Sequence, residues 1–189
     1  MSNLSRLFPR NSHKDRAMSA ITKKICLLGD FNVGKTSLIR RFVEDKFSDR
    51  YLSTVGVKVS RKSLKLETDS QVCQANLMVW DLEGNTKFKP ITPSYLKGAS
   101  GSIIVADLTR VNTIGSTKKH IELFLSVNPR ATIAIALNKA DLVSQEKLEK
   151  LIENYSYYDN PQILCTHTTS AKTGNNVAKI FEELSQSII

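Results

Sequence analysis

From residue 24 onward, apolar runs alternate with amphipathic stretches. "KKICLLGD" is a short apolar run ending in a glycine, which predicts a buried strand. "KTSLIRRFVEDKF" follows, with Leu38, Ile39, Phe42 and Val43 at helical spacing. The runs "VGVKVSRKSLKLE" and "QVCQANLMVW" flank a polar "TDS" and predict an antiparallel hairpin at a sheet edge. Lys58, Arg61, Lys62 and Lys65 then read as edge charges that discourage intermolecular pairing rather than as a binding patch. Three further strand-then-helix pairs complete the chain: "GSIIVADL" with "NTIGSTKKHIELFLSV", "ATIAIAL" with "SQEKLEKLIENYSYY", and "PQILCTHT" with "NNVAKIFEELSQSII". In the last helix Val177, Ile180, Phe181 and Leu184 make one apolar stripe. Such alternation predicts an α/β fold, a mostly parallel sheet with one antiparallel edge strand and helices on both faces. Ligands in these sheets bind outside the carboxyl ends of the strands.

Composition narrows the picture. The 189 residues suit one domain with a full core. No apolar run approaches the roughly 18 residues of a membrane span, and no secretory leader is expected. The net charge of +9 is uneven, because residues 1–24 hold six basic side chains against one acidic. Residues 1–21 are expected to form a disordered basic arm and residues 22–189 a single domain. Two readings of the arm stay open. It attracts an anionic membrane surface or acidic partner, or it is a solubilising tail, even one upstream of a natural start at Met18. Nucleic acid is not an expected partner, since no aromatic-interleaved basic stripe accompanies the arm. Cys26, Cys73 and Cys165 each sit inside an apolar run and read as small hydrophobes in a reducing cytoplasm. No His/Cys spacing reads as a zinc site, and the scattered His13, His120 and His167 carry no expected role.

The chemistry begins at "GDFNVGKTS", which fills the G-x-x-x-x-G-K-S/T pattern between a strand and a helix. Its glycines let backbone N–H groups converge on a phosphate at the positive end of the helix. Asn32, Val33, Gly34, Lys35, Thr36 and Ser37 are the candidate phosphate contacts. Lys35 supplies a charge to the β- and γ-phosphates, and Thr36 a hydroxyl to Mg²⁺. "VWDLEGN" delivers Asp81, a carboxylate for the same cation, and Gly84, whose N–H can reach a γ-phosphate oxygen. Thr54 lies in the intervening loop and is the candidate third cation residue, poised to respond to the γ-phosphate.

"ALNKADL" places Asn138, Lys139 and Asp141 after a buried strand. Guanine presents two adjacent donors that one carboxylate accepts together, and adenine lacks that pair. Asp141 is therefore the expected selector of GTP over ATP, with a large penalty for the wrong base. The Lys139 stem is expected over the purine face, and Asn138 is expected to tie the base loop to the phosphate loop. "TSAK" adds Ser170, Ala171 and Lys172, with the Ala171 N–H aimed at the guanine carbonyl.

With these motifs in place, residues 22–187 resemble a Ras-superfamily small GTPase, nearest the Rab branch. "YLSTVGV", "WDLEGNTKFKPITPSYLKGASGSIIVADLTR" and "TSAKTGNNV" carry the likeness almost position for position. The resemblance implies the P-loop small-GTPase fold with a six-stranded sheet, Mg²⁺ with GTP or GDP, and slow, partner-stimulated hydrolysis. It also implies that Phe47 stacks on guanine and Tyr51 closes over the γ-phosphate. Effectors would bind residues 47–59 and 80–96, where Trp80 and Tyr95 match two of three effector-facing aromatics and Val59 replaces the third. An exchange factor, an activating protein and a monomeric, cytoplasmic state are implied as well.

Four features depart from the family. Asn85 replaces the glutamine that orients the attacking water, a shortening of about 1 Å that can cost on the order of 10²-fold. Glu83 replaces an alanine, and three roles are open to it: slowing turnover, orienting the water itself, or facing solvent. Phe31 stands where the family has a small residue and is expected to obstruct a partner's arginine; Arg50 is the candidate arginine in cis, set against a solvated loop residue. The chain ends "SQSII" without a prenylation box, so no lipid anchor is expected and any membrane contact falls to the arm. In this it is similar to unlipidated small GTPases of bacteria. An alternative function follows from Asn85, Glu83 and Phe31 together: a GTP-holding interaction module with negligible hydrolysis.

Overall fold

Ile25 and Leu27 face one side of the central strand and Cys26 and Leu28 the other, all four fully buried. That two-sided burial requires helices on both faces. The computed structural model describes residues 21–48, 54–68, 71–84, 91–154 and 160–189. Its strands are β1 (Ile21–Leu28), β2 (Val57–Thr68), β3 (Gln71–Leu82), β4 (Gly101–Asp107), β5 (Thr132–Asn138) and β6 (Ile163–Thr168). Its helices are α1 (Lys35–Glu44), α2 (Val111–Gly115), α3 (Thr117–Val127), α4 (Gln145–Asn154) and α5 (Val177–Ser187).

The strands order as β2-β3-β1-β4-β5-β6 in one sheet. β2 is the antiparallel member, and the other neighbours run parallel. α1 and α5 cover one face, where Leu38, Phe42, Ile180 and Phe181 meet Leu27, Val79 and Val105. The Phe42 and Phe181 rings stack with centroids 4.1 Å apart. α2, α3 and α4 cover the other face through Ile114, Ile121, Phe124 and Leu151. As expected of an edge strand, β2 turns Lys58, Arg61 and Lys65 to solvent, while Lys62 lies over the Phe42 ring.

Two boundaries differ from the sequence expectation. β1 starts at Ile21, which pairs with Ala75, so ordered pairing begins one residue before the expected domain start; the rest of the expected arm lies outside the described residues. The single helix expected over "NTIGSTKKHIELFLSV" is divided at Ser116. There Gly115 and side-chain hydroxyls compete for the backbone: Thr117 Oγ1 donates to the Ile114 carbonyl and Thr113 Oγ1 to that of Arg110. The carboxyl ends of β1, β3, β4, β5 and β6 gather at one edge and bring the motifs together.

Candidate functional site: a phosphate, cation and base cleft

A cleft of about 490 Å³ opens at the carboxyl ends of the strands. That volume lies within the range of small-molecule sites. Of the candidate nucleotide contacts, all but Val33 and Ser170 line it, and those two are buried beneath. Phe47 lines it too, packed partly against the core.

At one end the chain reverses from β1 into α1. Gly34 holds φ 99° there, and a Cβ on it would meet Asn138 Nδ2 at 2.3 Å. Only glycine accepts both the left-handed backbone and that contact. No side chain caps the start of α1, which leaves its N–H groups directed into the cleft. The buried Lys35 ammonium donates to the carbonyls of Gly29 and Asp30, each at 3.0 Å. Burial pushes its pKa down to about 8, against the attraction of Asp81 and Asp30. A lysine so placed lacks a full counter-charge, which a phosphate would supply.

Beside it three oxygen side chains meet. Thr36 Oγ1 donates to Asp81 Oδ2 at 2.5 Å, Thr54 Oγ1 donates to the same oxygen at 3.3 Å, and the two hydroxyls are 2.8 Å apart. Asp81 Oδ1 is buried with no hydrogen-bond partner among the described residues. Burial raises the Asp81 carboxyl above the usual range, with the Thr36 hydroxyl and Lys35 opposing. An all-oxygen donor set around an orphaned carboxylate oxygen fits a hard divalent cation such as Mg²⁺. Thr36, Thr54 and Asp81, the three residues expected to hold it, are thus brought together from α1, the following loop and β3.

Gly84 stands against the phosphate loop. A Cβ there would come within 2.5 Å of the Phe31 Cα and 3.0 Å of the Asp30 carbonyl oxygen. The Phe31 side chain lines the cleft at this end and is 42% exposed. The Glu83 carboxylate instead accepts the Gly56 N–H at 3.0 Å, and the Glu83 N–H donates to the Gly56 carbonyl at 2.9 Å. Of the three roles left open for this residue, solvent-facing does not describe its position; it clasps the loop that carries Thr54. Asn85, Arg50 and Tyr51 lie outside the described residues, as do parts of the segments 47–59 and 80–96.

At the base end, Asn138 Nδ2 donates to the Val33 carbonyl at 2.9 Å, the expected tie between the two loops. Its Oδ1 accepts the Ala171 N–H at 3.3 Å. Ser170 Oγ donates to Asp141 Oδ1 at 2.6 Å, fixing the exposed carboxylate from one side. Lys139, with φ 66°, extends to the Asn32 carbonyl at 3.1 Å and to Asp107 Oδ2 at 2.7 Å. Lys172 lines the cleft, and its carbonyl accepts from Arg41.

Three supports escaped the sequence reading. Asp107, 1% exposed, gathers Lys139, Thr109 and Arg110. Burial raises its carboxyl, but those hydrogen bonds lower it further, to a net position below the usual range. Arg110 in turn donates to the Phe31 carbonyl at 2.9 Å. His120 Nε2 bonds Asp30 Oδ1 at 2.9 Å from α3. Arg41 of α1 donates to the carbonyls of Ala171 and Lys172. The contacts of Asp107 with Lys139, Arg110 with Phe31, His120 with Asp30 and Arg41 with Ala171 join residues far apart in the chain, which no local pattern announces; the local contacts of Asp107 with Thr109 and Arg110 had the "ADLTR" run as their available signal.

Comparison with known proteins agrees with this geometry. The sequence profile of the Ras family matches residues 24–189. The chain is 34% identical over 167 residues to the Ras-related protein Rab-22A of Homo sapiens, covering 87% of this chain and 82% of that protein. It is 36% identical over 167 residues to the Ras-related protein RABF2a of Arabidopsis thaliana, covering 88% and 80%. It is 32% identical over 169 residues to the GTP-binding protein ypt5 of Schizosaccharomyces pombe, covering 89% and 78%. With the P-loop fold, the clustered motifs and these relatives together, the chain belongs to the Ras family and is a Rab-like small GTPase.

Proposed function

We propose that the protein is a guanine-nucleotide switch that binds GTP or GDP with Mg²⁺ and hydrolyses GTP slowly to GDP and phosphate. The observation that carries this reading is the meeting of Thr36 and Thr54 on Asp81, beside an Asp81 oxygen with no partner among the described residues. It couples the loop after α1 to the one place where a cation and γ-phosphate would sit. Losing the phosphate removes the partner that holds Thr54 inward, and the loop relaxes.

Asn32, Val33, Gly34, Lys35, Thr36 and Ser37 cradle the phosphates. Phe47, Asn138, Lys139, Asp141, Ser170, Ala171 and Lys172 hold the guanosine. Thr36, Thr54 and Asp81 would hold Mg²⁺, which would supply charge neutralisation to the phosphates. A water oxygen attacks the γ-phosphorus in line as the bond to the bridging oxygen of GDP breaks, and the water's proton leaves with the inorganic phosphate. Lys35 and the Gly84 N–H stabilise the charge that develops on the phosphoryl oxygens. With the Glu83 carboxylate engaged by Gly56, Asn85 is the residue left to orient the water, and its shorter reach makes turnover slow.

In the GTP state, residues 47–59 and 80–96 present the effector surface. Exchange and activating proteins act on the same segments. The protein works as a monomer in the cytoplasm, with the basic arm offering contact to an anionic membrane surface; no described helix is long and apolar enough to cross a membrane. The alternative is a GTP-holding module with negligible hydrolysis, and the clasp of Glu83 on Gly56 together with Asn85 favours it to that extent.

The test is release of fluorescent GDP and GTP, with Mg²⁺ and with a chelator, from the wild type and Thr54→Ala. The reading expects chelation to speed release of both nucleotides, and Thr54→Ala to weaken GTP more than GDP. Equal effects on the two nucleotides would remove Thr54 from the switch.

A further inference from the structure

At the outer edge of the sheet, β6 and α5 bring together three ligand-bearing side chains that the nucleotide site does not use. Cys165 and His167 are two residues apart on β6, so they lie on one face of the strand. Glu183 reaches them from α5, with its Oε2 at 2.7 Å from His167 Nε2. The Cys165 sulfur, a His167 ring nitrogen and a Glu183 oxygen all lie within 4.8 Å of one another. We propose that Cys165, His167 and Glu183 form a three-residue site for Zn²⁺, with a fourth position open to water, that staples α5 to the outer strand of the sheet.

The donor set supports the choice of ion. Thiolate, imidazole and carboxylate together suit a borderline-soft divalent metal and not Mg²⁺. A tetrahedral zinc with these ligands separates its donor atoms by about 3.3–3.7 Å. His167 Nε2 and Glu183 Oε2, 2.7 Å apart, would have to open by less than about 1 Å to admit the ion, and the Cys165 sulfur lies within 4.8 Å of both. All three residues are partly exposed, which provides both an entry path and room for the fourth ligand. β6 pairs with β5 alone among the described strands, so the cluster lies on the edge strand of the sheet.

Charge balance agrees. Thiolate, neutral imidazole and carboxylate carry a combined −2 that cancels the ion's charge. The uncharged thiol is the ordinary form of cysteine at neutral pH. Binding breaks the S–H bond, forms the S–Zn bond and releases the proton to solvent, so affinity rises with pH. Lys179, 3.8 Å from Glu183 Oε1, is the competing cation, and it is 57% exposed and free to swing away. The other two cysteines, Cys26 and Cys73, are buried and belong to no such cluster among the described residues. The sequence pattern missed the site because the third ligand sits 16 residues on, in a different element.

The experiment uses the full-length, reduced protein loaded with GDP and Mg²⁺ and titrated with Co²⁺, then Zn²⁺. The proposal expects one equivalent of Co²⁺ to give a thiolate-to-cobalt charge-transfer band and four-coordinate visible bands, both bleached by Zn²⁺. Cys165→Ala abolishes the charge-transfer band, and Glu183→Gln weakens Zn²⁺ binding tenfold or more, while both variants keep GDP. Absence of a thiolate band in the wild type at saturating Co²⁺ overturns the proposal, and so does a band that survives Cys165→Ala. Cobalt at the nucleotide's cation site has only oxygen ligands and gives no such band, so the two sites are read separately.

Discussion

Glu83 and Gly56 exchange two hydrogen bonds, one through the glutamate side chain and one through its backbone. They join the loop after α1 to the end of β3 directly beside the cation residues. Glu83→Ala removes the side-chain bond and leaves the backbone one. We expect it to lower stability of the GDP-bound protein by about 1–2 kcal/mol in urea unfolding. It should also speed nucleotide release several-fold while leaving single-turnover hydrolysis within about threefold of wild type. A collapse of hydrolysis would return Glu83 to the role of water-orienting residue.

His120 gives a pH dependence whose sign is fixed. Burial lowers its pKa below the ordinary 6.5, outweighing the hydrogen bond to Asp30. The folded protein therefore binds fewer protons than the unfolded chain as pH falls through that region. Stability is full above about 6.5 and declines below it. Denaturation midpoints measured between pH 5 and 8 should fall on the acid side, and His120→Gln should flatten that slope. A slope unchanged in the variant would assign it to other groups.

Asp107 lies outside every nucleotide motif, yet it holds Lys139 and Arg110, which in turn hold the carbonyls of Asn32 and Phe31. Asp107→Ala should therefore loosen the base loop and the phosphate loop together. We expect GDP release to accelerate by tenfold or more, measured by stopped-flow with a fluorescent analogue. An unchanged release rate would mean that Lys139 and Arg110 hold their positions without it.

How much of this was legible from the residues differs by distance along the chain. The P-loop, Asp81 and the base loops were readable because each motif is local and the period of its flanking apolar positions places it at a strand end. The antiparallel edge was readable because the "TDS" turn and the charges on "VKVSRKSLKLE" are local too. What joins the loops was not readable: Asp30 with His120 spans 90 positions and Arg41 with Ala171 spans 130. Nor did Glu83 disclose that its carboxylate would meet a backbone N–H, because its partner is a glycine, which offers no side-chain signature. The break at Ser116 was hidden because Thr113 and Thr117 fit the helical pattern while their hydroxyls take its carbonyls.

The central claim is slow hydrolysis limited by the short reach of Asn85, and single-turnover decay of bound GTP with Mg²⁺ tests it most directly. The account predicts slow but measurable conversion to GDP in the wild type and an acceleration on the order of 10- to 100-fold in Asn85→Gln. A wild type that holds GTP unchanged, with Asn85→Gln equally inert, would contradict it and leave a nucleotide-holding module in its place.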